Sequence, residues 1–319
     1  DSFADFETWD DGNITLKTAK EPEMLPYEYA RSALGLGLAH REQLSVNPFD
    51  FGMIGSSDIH TALATTEEDN YFGKFLHDGP APGRTELKMA GQLQQIWRMV
   101  SSGLAGVWST QNTREAIFDA MQRKEVFATT GSRIRVRFFA GWNFDDGTLQ
   151  DSQWTQKGYA QGVPMGGQLP ATSDADLAPT LMIKAQKDPN AAHLDRIQVI
   201  KGWLDAEGKH HERIYDVVAS GKRVRNSSNG LFEPVKDTTN LATATYSNAE
   251  GAAQLEGIWR DPDFELNQAA FYYVRVLEIP TPRWTSFDAV RFQEDRAAGD
   301  DGKLQERAYT SAVWYYPEG

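Results

Sequence analysis

From Arg133 onward the chain falls into short stretches with the two-residue period of a β-strand, and this constrains the fold more than any other feature. Arg133–Phe139 alternates basic and apolar residues, the pattern of a half-buried strand. Similar stretches follow at Thr180–Gln186, Arg196–Lys201, Arg213–Ala219, Leu241–Tyr246, Leu255–Arg260, Phe271–Leu277 and Phe287–Val290. Pro, Gly, Asn and Asp separate them, and no long helical pattern intervenes. Such a series predicts an antiparallel sheet or sandwich. Gly158–Pro179 reads as a disordered loop.

The first 132 residues read differently, as an α/β segment. Tyr27–Leu44 has apolar residues at helical spacing, with Gly35 and Gly37 allowing close approach to a sheet. Phe51–Ile54 is a short apolar run, expected as a fully buried strand. A polar loop over 61–86 is of the length that covers a site or moves. Leu87–Val100 is expected as a helix. A further helix over Thr113–Lys124 has Asn112 as cap and Ala116, Ile117, Ala120 and Met121 as its buried stripe. Val126–Thr130 is a strand broken by Gly131. The domain expectation is therefore 1–132 α/β and 133–319 β-rich.

Composition removes several classes of function. Lys and Arg total 32 against 45 Asp and Glu, a net charge of −13, which disfavours a nucleic-acid partner. There is no cysteine, so disulfides, thiolate catalysis and cysteine-held metals are excluded. No run approaches the roughly 20 apolar residues of a membrane span, and no signal peptide is visible. The chain opens on Asp1 rather than Met, as if it began inside a longer protein. A soluble, periplasmic or secreted bacterial protein is expected over a cytoplasmic one. Nucleophile-elbow, phosphate-loop and His-Glu-x-x-His patterns are absent.

The chemistry concentrates in Asp58-Ile-His60, a carboxylate and an imidazole two residues apart after the apolar run. They suit a divalent cation that activates water and steadies a charged oxygen. The plain alternative is a capping Asp beside a surface His. In Thr129-Thr-Gly-Ser-Arg133, Thr130 and Arg133 offer a hydroxyl and a guanidinium for a small anionic substrate, unless Arg133 is merely one polar residue on a strand face. His77, Glu67 and Glu68 are weaker candidates in the long loop, where a solvated histidine and a wet charge run are the simpler readings. No catalytic acid, base or nucleophile is assigned.

Gly55–Lys74 resembles the last metal-binding motif of the polymerase-and-histidinol-phosphatase (PHP) superfamily, and more closely the DUF3604 family. Phe127–Ile134, Glu278–Thr285, Arg307–Tyr315 and Val46–Phe51 strengthen the closer match, which spans nearly the whole chain. The resemblance implies the C-terminal part of a distorted (βα)7 barrel followed by a β-rich, sandwich-like domain. It also implies a metal-dependent hydrolase acting on phosphoesters, with Asp58 and His60 as ligands of Zn, Mn or Fe. The superfamily's His-x-His motif does not occur here, so the other ligands are expected in a missing N-terminal barrel segment or a second subunit, and this portion alone is expected to be inactive. The alternative function is a non-catalytic binding or assembly module completing a larger protein or oligomer.

Overall fold

Helix α1 (Ala30–Leu44) begins three residues after the expected Tyr27, which ends a 3-10 turn over Pro22–Tyr27, and stops at Ser45, whose backbone turns left-handed with φ 60°. The computed structural model of the chain describes residues 12, 13, 15, 17–63, 65–88, 95–99 and 102–317. The buried stripe of α1 is Leu34, Gly35, Gly37 and Leu38. A Cβ on Gly35 would sit 2.6 Å from the His210 ring, so glycine lets the helix lie directly on the sheet below.

The buried strand expected over Phe51–Ile54 does not form: the segment belongs to no ladder among the described residues, and Ile54 is 55% exposed. The segment is tethered at only a few points: Met53 N donates to Ser311 Oγ at 2.9 Å and Gly55 N to Leu104 O at 3.2 Å. Of the helix expected over 87–100, only α2 (Ile96–Met99) is described; 89–94 and 100 lie outside the described residues. Strands β1 (Leu104–Val107) and β2 (Val126–Thr129) pair antiparallel across α3 (Arg114–Gln122). The cap of α3 is Thr113, whose hydroxyl accepts from Ala116 N, one residue beyond the expected Asn112. Met121, expected in the stripe, is 45% exposed.

Next come β3 (Arg135–Gly141), α4 (Asp146–Gln150) and α5 (Trp154–Gln161). The stretch read as disordered instead holds β4 (Gly162–Pro164) and β5 (Gln168–Leu169), with Met165 and Leu169 buried. Four long strands follow with β6 (Thr180–Gln186), β7 (Leu194–Leu204), β8 (His210–Ala219) and β9 (Gln254–Arg260). Leu241–Tyr246, expected as a strand, is a turn closed by the Asn240–Thr245 bridge. The chain then runs through β10 (Ala270–Glu278), β11 (Thr281–Pro282) and α6 (Trp284–Phe292). Phe287–Val290, another expected strand, lies inside α6. β12 (Lys303–Leu304), β13 (Arg307–Thr310) and β14 (Val313–Tyr315) finish the described chain.

These strands make two main sheets. In the larger, of eight strands, β10 pairs with β7 along one edge and with β13 and β14 along the other. β8 extends the sheet beyond β7, β2 and β1 extend it beyond β13, and β5 joins β14 in parallel. The smaller sheet has the order β4-β3-β6-β9, all antiparallel. Val274 and Val276 face Val136, Phe138, Leu181 and Ile183 in a core shared by the two sheets. On the other face of the larger sheet, Phe271 and Tyr273 pack with Leu34 and Leu38 of α1. Phe139 and Met182 pack with Leu149 of α4 on the far side of the smaller sheet.

The expected (βα)7 barrel is not the architecture observed. A barrel needs successive parallel strands closing on themselves. Among the described residues the N-terminal part contributes only the antiparallel β1–β2 pair, which adds to an edge of the larger sheet through β13, and no sheet closes. The fold is a mixed α/β arrangement of several sheets.

Gly202 and Phe271 are register partners, and a Cβ on Gly202 would lie 2.2 Å from the Phe271 ring. The ring therefore fills the space that the glycine leaves. Phe271→Ala should cost about 3–5 kcal/mol in urea denaturation. Phe118→Ala, at a position 58% exposed, should stay within about 0.5 kcal/mol of the parent.

Candidate functional site

The run before Asp58 is held against the start of β1 by close contacts at two glycines. A Cβ on Gly55 would meet Leu104 O and Thr129 O at 2.5 Å, and one on Gly103 would meet Ser56 O at 2.4 Å. The backbone then turns left-handed at Asp58, with φ 54°. Asp tolerates this conformation better than most residues, and such turns occur at functional loops.

Asp58 and His60 end on one solvent-open loop. His60 Nδ1 lies 3.8 Å from Asp58 Oδ1 and 2.8 Å from the Asp58 carbonyl oxygen. A carbonyl only accepts, so Nδ1 carries the hydrogen and neutral His60 presents the lone pair of Nε2. The Asp58 carboxylate forms an ion pair with Lys74. His60 N donates to Lys74 O at 2.8 Å, and Phe75 packs against both His60 and His77, with ring centroids 4.7 and 5.4 Å away. The structure thus brings together Asp58, His60, Lys74 and His77. Among the described residues no group of three or more His, Asp or Glu side chains is placed to hold a metal.

The other candidates gather at a separate cavity of about 350 Å³, lined by Arg133, Glu67 and Glu68 but by none of Asp58, His60 or His77. Gly131 makes its floor possible. Its φ is 148°, and a Cβ there would lie 2.8 Å from Thr66 O. Arg133 pairs with Glu67 at 3.3 Å and stands 3.7 Å from Asp188, whose Oδ2 also accepts from Arg133 N at 2.8 Å. Thr130 lies just outside, its hydroxyl donating to Glu306. Glu68 is anchored by accepting from Trp284 N at 2.6 Å. The long polar loop carrying these residues is docked on α6: Arg84 forms a buried ion pair with Asp288, and Tyr71 packs on Trp284 with centroids 5.7 Å apart.

Glu278 is the group that sequence reasoning missed. It ends β10, is fully buried, and accepts from Ser132 Oγ at 2.7 Å. Burial pushes its carboxyl up to about 8, the Ser132 hydrogen bond pulls the other way, and Asp188 adds to the rise. A lone Glu closing the otherwise apolar run Phe271–Leu277 was the available signal, apart from Arg275. Asp188, Tyr246 and Glu306 come from three distant loops and carry no local signal. The remaining histidines are elsewhere. His40 is beside Phe49, His193 is bound to Glu250 O, and His210 and His211 stack on Phe271 and Trp203 respectively.

Comparison with known families finds a match over residues 1–317 to the family described as "Protein of unknown function (DUF3604)". Comparisons with curated proteins and with solved structures return no match.

The raised carboxyl of Glu278 has a definite consequence for stability. The folded state holds this proton more tightly than the unfolded state, so the group's contribution is full below about 4.5 and is lost as pH rises toward about 8. The stability difference between the parent and Glu278→Gln, measured by thermal melts across pH 4–9, should shift in favour of the variant through that window.

Proposed function

From the membership of this chain in the DUF3604 family, we propose that it forms part of a metal-dependent hydrolase of the phosphoesterase type, related to the PHP superfamily and acting on a small anionic substrate. The observation that carries this reading is the pairing of Asp58 with an imidazole whose tautomer is set by a backbone carbonyl. Metal-ligating histidines characteristically donate their second ring N–H to a carbonyl or carboxylate, which orients the ring and raises its basicity. Asp58 and His60 suit Zn, Mn or Fe as two of its ligands, with the rest drawn from outside the described residues. A divalent cation held there supplies Lewis acidity for hydrolysis.

The chain's own residues then have distinct tasks. The Asp58 carboxylate and the His60 imidazole would hold the cation, and the Asp58 carbonyl orients the ring. Lys74 pairs with Asp58, so its ammonium would stand beside a cation held there and could contribute a donor to an anionic substrate. Arg133 is already held by Glu67 on the rim of the acidic cavity, so the anion is assigned to the cation and Lys74.

In the full-length protein, Asp58→Ala and His60→Ala should each lower bound Zn or Mn by at least about tenfold, and phosphomonoester hydrolysis should fall with it. Elemental analysis of the purified variants, run beside a chromogenic phosphatase assay, checks both. Undiminished metal and activity in Asp58→Ala would remove the hydrolase reading.

A further inference from the structure

Among the residues that line the cavity, carboxyl groups outnumber cations. Glu67, Glu68, Asp69, Asp188, Glu278 and Glu306 line it, and Arg133 is the one Lys or Arg among its lining residues. Arg133 is taken up by Glu67 and Asp188. An anion entering here would face a net negative wall. The carboxylates are also too dispersed for a metal ion, since no three of them are grouped for one among the described residues. Between them the wall is hydrocarbon, from Ala191, Ala192, Pro282 and Phe287.

An independent observation points to a ligand. Glu278 lines this cavity with a side chain that is wholly buried, and its Oε2 has no hydrogen-bond partner among the described residues. A buried carboxyl oxygen left unmatched costs about 1–3 kcal/mol, and native structures seldom retain one without a function or a bound group. The Ala192 backbone faces the carboxyl but makes no hydrogen bond of good geometry to Oε2. Ser132 binds the other oxygen, Lys187 donates to the Asp188 and Pro189 carbonyls, and Tyr246 is a neutral phenol whose own proton is held more tightly by burial. Asp188 and Glu306 add only negative charge.

We propose that this cavity binds a small primary alkylammonium ligand, with its charged head against Glu278 and its carbon chain along Ala191, Ala192, Pro282 and Phe287. An ammonium supplies donors to Glu278 Oε2, and it is the compact cation that a wall of separated carboxylates accommodates. A polyol would leave the negative wall uncompensated. The site is independent of the metal reading at Asp58 and His60.

Binding must also move a proton. Glu278 is largely protonated near neutrality, and an ammonium stabilises its carboxylate, so each bound cation releases up to one proton from Glu278 to buffer. The charges facing Glu278 during this change are Asp188 and Lys187 from the β6–β7 connection, Glu306 before β13, and Arg133 with Glu67 on the rim.

The test is isothermal titration of the chelator-treated protein with n-butylammonium and with 1,4-diaminobutane, in phosphate and in HEPES, which contains no primary amine, at matched pH. Saturable binding is expected, tightening by up to about tenfold per pH unit from 6 toward 8. The buffer-dependent enthalpy should report proton release near pH 7 and none near pH 9. Glu278→Gln should weaken binding at least tenfold and abolish the proton release, while Asp58→Ala should leave both unchanged. If Glu278→Gln does not fold, the pH profile and buffer dependence of the parent protein decide. No saturable binding, binding with no proton release, or equal affinity for n-butanol would each overturn the proposal.

Discussion

Strand β10 is buried along its whole length, and it carries Arg275 and Glu278 with it. It is clamped between β7 on one edge and β13 and β14 on the other, with the two-sheet core on one face and α1 on the other. A polar group in such a position must be matched, because stranding it costs more than the hydrogen bond itself contributes. Arg275 Nε donates to Gln198 Oε1 at 2.9 Å, and Gln198 Nε2 passes the network on to Asp216 at 2.7 Å. Tyr272 donates to Asp261 at 2.7 Å, and Asp261 also pairs with the buried Lys201 at 2.7 Å. These links specify which strands stand beside β10, since a slip in register would strand each of them.

Glu278 is the exception on that strand, and it stands where β10 leaves the sheet. The turn after β2, the connection after β6 and the residues leading into β13 all arrive at this point, and the docked loop over 66–69 completes the ring. The sheet therefore positions the acidic cavity rather than merely supporting it. Loops alone could not bring together carboxylates separated by more than two hundred residues of chain. A buried carboxyl that ends β10 at a cavity wall with one oxygen unmatched is an arrangement expected of a binding site.

The Asp58 loop obeys a different logic. It is exposed, tethered at its base by close backbone contact through Gly55 and Gly103, and turned outward by the left-handed Asp58. Its groups are held by short-range contacts: His60 to its own neighbour's carbonyl, Lys74 to Asp58, and Phe75 to two imidazoles. Orientation there is local and could be anticipated from the spacing of Asp58 and His60. The composition of the acidic cavity is not local at all.

Helix α1 and strands β3, β6, β7, β8, β9 and β10 were legible because their apolar periodicity is strong and matches the face that each one buries. Phe51–Ile54 and Phe287–Val290 were misread for one reason. A short apolar run reports burial pressure without saying whether a ladder partner exists, and here the first found only tethers and the second became part of α6. The barrel expectation failed at the next level, where strand direction and partner choice depend on residues far away in the chain. The sequence by itself determined the acidic character, the absence of thiol chemistry, the β-rich series and the Asp58–His60 pair, because these are properties of composition and short spacing. Only the tertiary structure decided that β10 buries Glu278 with one oxygen unmatched inside a ring of distant carboxylates, because the cost of burying a charge is set by what surrounds it in space.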